Sequence, residues 1–564
     1  MRSPRRSPDR RRIDGGRRST SAPDSPSARS STISAAERRQ GNRRSTALAY
    51  PRALVASLGT ARIAAIALLM VWGSFAALVS ASRDAVAAPP AFAPATTLGT
   101  GTLELILEDF DTGKPVAARL AIYDSKNRLK RLPGVVTEGN AFWVFYQVTL
   151  KLPEGDYRYD LDAGPEYRPL TGTFSISNND SSRQVAKFER TVDLASEQWA
   201  VIEQGIFAPR DEADVQGTAI GADLIGVRSG SVPPRRGRRD FAAPSDPQHI
   251  PFTMHAIELG EARLTLWDPT VEPFGETPID PRSLADWKRA DSRRRILLDS
   301  VNARSLPLWV GLELLDGVGL LSSFDAPSPE RLPTDAYDVD PAEARDPRAL
   351  LRRSIDTYAR LLSTGVFLPP VASSRWTDTD QPLGVHRTMT AVEIEGRQVA
   401  PWDALSEGIV WISSGPLVRF DADRKPPGSR FALEGAPLTL DIGLKVSTRG
   451  GLEHLEFYRD GQLDRRVTRD DLASGQEKLR FEFSSSGWLL PIAWAKEGDS
   501  SRIAVGAPFR VESNEPAPID GTAIDRMLSR LDELQSDRRF VEGTGASDAD
   551  FDQARAFWNA RRGD

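Results

Sequence analysis

The chain has no cysteine in 564 residues, which excludes disulfides, thiolate metal sites and a cysteine nucleophile and leaves the redox compartment open. Histidine is nearly as scarce: His249, His255, His386 and His454 are the only four. No G-x-S-x-G elbow, phosphate-binding G-x-x-x-x-G-K loop or G-x-G-x-x-G dinucleotide fingerprint occurs, which sets aside the enzymes recognised by those loops. Basic surplus is confined to the start. Met1 to Arg62 carries 15 Arg against 4 acidic residues, while the whole chain is net −5.

What is present begins with that head. Residues 1–62 are rich in Arg, Ser and Pro, and up to about Arg52 have almost no large apolar side chains. Such a segment cannot bury enough surface to offset chain entropy, so it is expected to be disordered. Residues 63–82, IAAIALLMVWGSFAALVSAS, are uncharged and flanked by Arg62 and Arg83. A 20-residue helix spans roughly 30 Å, the thickness of a bilayer core. The segment reads as a signal peptide or as a membrane anchor, with a Pro/Ala linker completing 63–96. Val79-Ser80-Ala81 and Ala85-Val86-Ala87 offer small-residue cleavage sites. Either way the rest is expected outside the cytoplasm, periplasmic or extracytoplasmic, with the membrane a partner only if 63–82 is kept. Nucleic acid is not an expected partner.

From 97 to 192 short alternating runs separated by turns, such as Thr102-Leu103-Glu104-Leu105-Ile106-Leu107 before Asp111-Thr112-Gly113, predict a β-sandwich. Strands recur within 406–515, where Asp460-Gly461 is a hairpin signal, and predict a second, Ig-like sandwich. Residues 516–564 carry two amphipathic helical patterns, Ile524, Met527, Leu528, Leu531, Leu534 and Phe551, Ala554, Phe557, Trp558, expected to pack back on the protein. Between the sandwiches, 193–405 has mixed α/β character. The fold class expected is multidomain α+β.

The stretch from Gln198 to Phe207 opens that middle region. The sequence before it, with DTGKPV at Asp111 to Val116, LPEGDYRY at Leu152 to Tyr159 and GPEY at Gly164 to Tyr167, resembles the carboxypeptidase-regulatory-like sandwich that precedes the catalytic domain of CehA/McbA-type metallohydrolases, relatives of the PHP phosphoesterases. The resemblance covers about residues 100 to 515. It continues in Gly384-Val385-His386-Arg387, which matches the family's G-x-N-R, and in Trp402 to Gly408 and Gly415-Pro416-Leu417, which match W-x-x-L-x-x-G and G-P-L. It implies a PHP-like α/β distorted barrel in the middle.

In that family W-x-S-G-D-x-H-x-H brings two histidines, on one face of a strand, to the metal centre. Aligned here, Trp199 takes the tryptophan position, Glu203 the aspartate, and Gly205 and Phe207 the two histidines. Neither Gly205 nor Phe207 binds a metal. A further histidine expected before Leu264-Thr265-Leu266 is replaced by Ala262 or Arg263, and Val301 to Leu321, expected to hold another histidine-bearing strand, has none. A two- or three-metal hydrolase needs about five or six converging ligands.

The resemblance therefore implies a degenerate member without catalytic residues, metal or other cofactor, serving as a binding or structural protein of the cell envelope, for a carbohydrate, an envelope polymer or a protein. The alternative is an active metal-dependent hydrolase or phosphoesterase whose divalent-metal site is rebuilt from His249, His255, Glu203 and nearby aspartates. His249 and His255, six apart, share a face on a strand. Asp378, Asp380, His386 and Arg387 lie around a loop and are candidates for lining a binding pocket. Arg235 to Arg239 and the acidic stretch 325–347 read as solvated surface insertions.

Overall fold

A computed structural model describes residues 99–132, 137–138, 141–206, 210–228, 250–259, 262–269, 280–321, 346–373, 384–474 and 478–562. All lie in the compact unit Pro94–Asp564. The basic head, the apolar segment 63–82, the Arg235 to Arg239 run and most of the acidic stretch lie outside the described residues. No described helix is long and apolar enough to cross a membrane. The architecture is β-rich, with several sheets and few helices.

Eight strands come first: β1 (Thr100–Asp109), β2 (Ala117–Asp124), β3 (Thr137–Glu138), β4 (Ala141–Phe145), β5 (Gln147–Pro153), β6 (Gly155–Asp162), β7 (Leu170–Ile176) and β8 (Ser181–Phe188). They form two sheets, β5-β1-β8 and β3-β4-β2-β6-β7. Strict alternation puts Leu103, Leu105 and Leu107 on one face of β1, where they meet Leu120, Ile122 and Phe142 of the other sheet in one core. The turn after β1 follows its sequence: Asp109 Oδ1 accepts from the Thr112 amide at 2.8 Å, and Gly113 takes the left-handed φ of 65°.

The middle region is built on β9 (Trp199–Ile206). It continues through α1 (Arg210–Ile220), β10 (Leu224–Arg228), β11 (Ile250–Leu259), β12 (Ala262–Asp268), α2 (Pro281–Ala290), β13 (Arg295–Leu298), α3 (Leu306–Gly311), β14 (Gly317–Leu321), α4 (Pro347–Ser363) and β15 (Pro370–Ala372). Strands β9, β10 and β11 are mutually parallel, β12 runs antiparallel to both β11 and β13, and β13, β14 and β15 are parallel again. Within Val301 to Leu321, where one strand was expected, a turn and the short helix α3 come first, and only Gly317–Leu321 is extended. Pro307 at the first helical turn suits that start.

On the other side of β9 lie β16 (Arg387–Ala391), the small ribbon β17 (Glu393–Ile394) and β18 (Arg397–Gln398), α5 (Pro401–Glu407) and β19 (Val410–Ser413), with β16 antiparallel to both β9 and β19. The far edge strand β15 curls back to this side. Gln204 Nε2 donates to the Ala372 carbonyl at 2.8 Å, Thr388 Oγ1 accepts from the Ala372 amide at 2.9 Å, and Ser373 Oγ donates to the Gln204 carbonyl at 3.1 Å. Inside the curl Phe252, Trp267 and Trp402 pack with ring centroids 4.9 to 5.6 Å apart. Helix α5 ends at Gly408 with φ 78°, the glycine stop its sequence announces.

The last elements are β20 (Leu417–Ala422), β21 (Arg430–Ala432), β22 (Leu438–Ser447), β23 (Gly451–Arg459), β24 (Gln462–Thr468), the short α6 (Arg469–Ser474), β25 (Arg480–Phe483), β26 (Gly487–Glu497), β27 (Ser500–Gly506) and β28 (Phe509–Glu512), of which β21, β23, β24, β26, β27 and β28 belong to the same 15-stranded sheet as β9 to β16 and β19. Strand β27 pairs with β19, and β20-β22-β25 faces the sheet across a core holding Trp199, Val201, Trp411, Phe420, Phe457 and Phe481. Asp460 and Gly461 take φ of 48° and 91°, as a two-residue hairpin between β23 and β24 requires. Helices α7 (Gly521–Ser536), α8 (Arg538–Thr544) and α9 (Asp548–Arg562) follow. Ile524, Met527, Leu531, Leu534, Phe551, Ala554 and Trp558 are buried in the core under α3 and α4. A Cβ on Gly311 would lie 2.6 Å from that of Ala554, so α3 needs glycine where α9 crosses it.

One buried charge ties α4 to β23. Glu456 is fully buried and accepts from Arg352 at 2.5 and 2.9 Å, from Arg466 at 2.7 Å and from Trp494 Nε1 at 2.9 Å. Burial would raise its carboxyl, but the Arg352 and Arg466 guanidiniums prevail and hold it at about 2, below its usual 4.5. A depressed carboxylate contributes stability that is complete above the unfolded value and is lost as pH falls toward the folded one. Glu456→Gln should therefore cost about 3 kcal/mol near neutrality, because two guanidiniums lose their counter-charge. It should also flatten the loss of stability between pH 4.5 and about 2. Urea denaturation of both proteins across that range checks both parts.

Candidate functional site

The residues expected from the sequence fall in two groups. Glu203 lies on β9 and is fully buried. Gly205 is also on β9, where the register with β10 passes from Gln204–Gly226 to Ile206–Val227 and leaves Gly205 as a bulge. His255 lies on β11, buried, and burial pushes its imidazole down to about 4 with Asp268 opposing. Phe207, His249, Asp378 and Asp380 lie outside the described residues.

Glu203 and His255 are not brought together. Glu203 is level with Ile225 of β10, and Ile225 with Pro251 of β11. His255 is therefore two strands away, about 10 Å, and four residues further along, about 13 Å at the usual strand spacing and rise. A shared ion needs both within about 2.0 to 2.2 Å of one point. The expectation that His255 joins Glu203 in a rebuilt centre is corrected by this register. Among the described residues no three His, Asp or Glu side chains gather as metal ligands. The opposite face of β9 is committed to packing: Gln204, besides its bond to Ala372, accepts from Trp267 Nε1 at 3.0 Å.

His386 and Arg387 are the second group, and both are buried. His386 Nδ1 lies 3.1 Å from the Ser373 carbonyl, so Nδ1 carries the proton and donates. Burial pushes this imidazole down to about 4; the Ser373 bond opposes the shift and Arg502 adds to it. Arg387 opens β16. Thr388 pairs with Ile202 of β9, and one further step of that antiparallel register sets Arg387 across from Glu203. Arg387 Nε donates to the Gly384 carbonyl at 2.7 Å, while Nη1 and Nη2 have no hydrogen-bond partner among the described residues. A buried donor left so costs about 1–3 kcal/mol each. Burial lowers the guanidinium to about 10, with Glu203, Glu166 and Asp162 opposing, so it stays charged at neutral pH.

The guanidinium lines a cavity of about 170 Å³ together with Arg119, Asp162, Arg449, Glu497 and Arg502. These come from β2, β6, the turn after β22, β26 and β27. Three turn glycines, Gly164, Gly384 and Gly415, also line it. Gly164 takes φ 85°, and a Cβ there would lie 3.1 Å from Arg387 Nη2, so glycine is required both by the backbone and by the close approach. The acids are already bonded: Asp162 accepts from Arg449 at 2.6 and 2.9 Å and from the Gly164 amide at 2.9 Å, and Glu497 pairs with Arg502 at 3.3 Å. Donors are left over, not acceptors.

No family model matches the chain, and no curated protein matches it. Among solved structures it is similar to the TIE protein of Bacillus anthracis, at 19% identity over 20% of each chain with a TM-score of 0.13. It is also similar to GBS52, the minor pilin of Streptococcus agalactiae, at 20% identity over 17% of this chain and 47% of that one, with a TM-score of 0.15. A third is the β-glucuronidase of Parabacteroides merdae, at 9% identity over 72% of this chain and 62% of that one, with a TM-score of 0.16. The chain thus spans about a fifth of the TIE protein and about half of the pilin.

The sequence reading named Arg387 among residues around a loop and did not name Arg449, Asp162, Glu497 or Arg502, which line the same cavity. Nothing local marks them, since each is an ordinary strand or turn residue until separate segments meet. A larger groove between α4 and α7 is also arginine-lined, by Arg352, Arg360 and Arg526 among others, but Arg352 is committed to Glu456.

Two of the buried histidines, His255 and His386, give a pH test. Each takes a proton near 6.5 in the unfolded chain but stays neutral to about 4 when folded. The unfolded state binds more protons in that window, so stability is complete above 6.5 and falls as pH drops toward 4. His386→Asn keeps a donor toward Ser373 and removes one titration. Urea denaturation should show a shallower fall for the variant than for the wild type, and identical slopes would contradict the assignment.

Proposed function

We propose that this chain is an exported, non-catalytic relative of the CehA/McbA-type metallohydrolases, kept as a binding or structural protein of the cell envelope. The separation of Glu203 from His255 by two strands and four residues carries the reading. The metal-facing stretch of the family is here a strand with one carboxylate, a bulged Gly205 and a packed opposite face. Export rests on the apolar segment 63–82 between Arg62 and Arg83.

The finer architecture belongs to the same reading. The curl of β9 to β15, with α1 to α4 between its strands and β15 bonded back to β9 and β16, supports a PHP-like distorted barrel. The first two sheets fit a carboxypeptidase-regulatory-like sandwich and the last ones an Ig-like sandwich. Their roles are binding and scaffolding.

The test is elemental analysis of the purified unit Pro94–Asp564, with a phosphoesterase assay on the same material. The expected outcome is less than stoichiometric zinc, manganese and iron, and no turnover with those metals added. One or more tightly held ions per chain would overturn the proposal and favour an active centre.

A further inference from the structure

The cavity at Arg387 goes beyond that reading, and its argument holds whether or not the chain carries a metal. Arg387 is 1% exposed, and its Nη1 and Nη2 form no hydrogen bond among the described residues. The guanidinium is fixed in place: Nε is held by the Gly384 carbonyl at 2.7 Å, and the backbone at Gly164 and Gly384 closes on Nη2 with no room for a side chain at either. The two nitrogens form a planar fork, which matches a pair of anionic oxygens in a way that a lysine ammonium does not.

Every acid beside the fork is already engaged. Asp162 is bound by Arg449 and the Gly164 amide, Glu497 pairs with Arg502, and Glu166 accepts from the Leu194 amide at 2.9 Å. Glu203, across the strand pair, offsets part of the charge, yet Nη1 and Nη2 still form no hydrogen bond. The walls add Arg449 and Arg502 from the last strands. A volume of about 170 Å³ suits a carboxylate or phosphate group and not a whole sugar or peptide.

We propose that this cavity binds the anionic head group of a ligand, a carboxylate or a phosphate, by bidentate hydrogen bonds from Arg387. Because its walls come from separate stretches of the chain, those around Asp162, Arg387 and Arg449 among them, the bound group would also brace those segments against one another.

The experiment uses the purified chain and two probes, inorganic phosphate and acetate, in calorimetric titrations at constant ionic strength with chloride as reference. The arms separate the two head groups. The expected result is saturable binding of at least one probe, with a matching rise in the melting temperature that chloride does not give. Two variants locate it. Arg387→Gln removes the fork, and Val385→Phe, at a half-buried position on the cavity wall, fills the space while leaving Arg387 in place. Each should weaken binding by at least about tenfold, the scale of one lost charge-assisted pair. If Arg387→Gln fails to fold, Val385→Phe alone decides. No saturable binding of either probe, or unchanged affinity in Val385→Phe, overturns the proposal, as does a crystal structure grown in phosphate with only water in the cavity.

Discussion

Strand β9 has to serve two cores at once, and most of the structure follows from that constraint. Its side chains alternate, so Trp199 and Val201 enter the core shared with the last sandwich, whereas Ile202 enters the core of the α/β region. Both edges of the strand are paired, in parallel with β10 and antiparallel with β16. A strand so placed has no solvent face. A carboxylate on it, such as Glu203, is buried by position, and Arg387 across from it is buried with it.

That arrangement explains how the later strands become continuous with the middle region. Because β16 leads to β19 and β19 pairs with β27, the last strands extend the same sheet instead of hanging from a linker. The Glu456 cluster and the Trp558 indole, which donates to the Pro307 carbonyl at 2.9 Å, fasten the helices over the other side. Buried ionic contacts of this kind contribute geometry more than net stability, because desolvation offsets much of the attraction. Here they fix which helix face meets which strand.

Local patterns were legible where one residue type suffices to set the backbone. Leu103, Leu105 and Leu107 announced a half-buried strand, Gly408 a helix end, Asp460-Gly461 a hairpin, and Ile524, Met527, Leu531 and Leu534 a packed helix face. The stretch Val301 to Leu321 holds a strand, as expected, at Gly317–Leu321, but a turn and α3 come before it. Its apolar run is short enough to suit either period, and burial under α9 selected a helix for Leu306–Gly311.

The candidate site divides along the same line. By itself the sequence determined that no thiolate exists, that Glu203 is followed two residues later by a glycine, and that a Gly384 to Arg387 turn is present. Only the tertiary structure decided that His255 sits two strands from Glu203, and that Asp162, Arg387, Arg449 and Arg502 surround one cavity. Composition and turn chemistry act over a few residues and can be read in order. Convergence depends on sheet register and on the pairing of β9, β16, β19 and β27, which join segments hundreds of residues apart and leave no local mark.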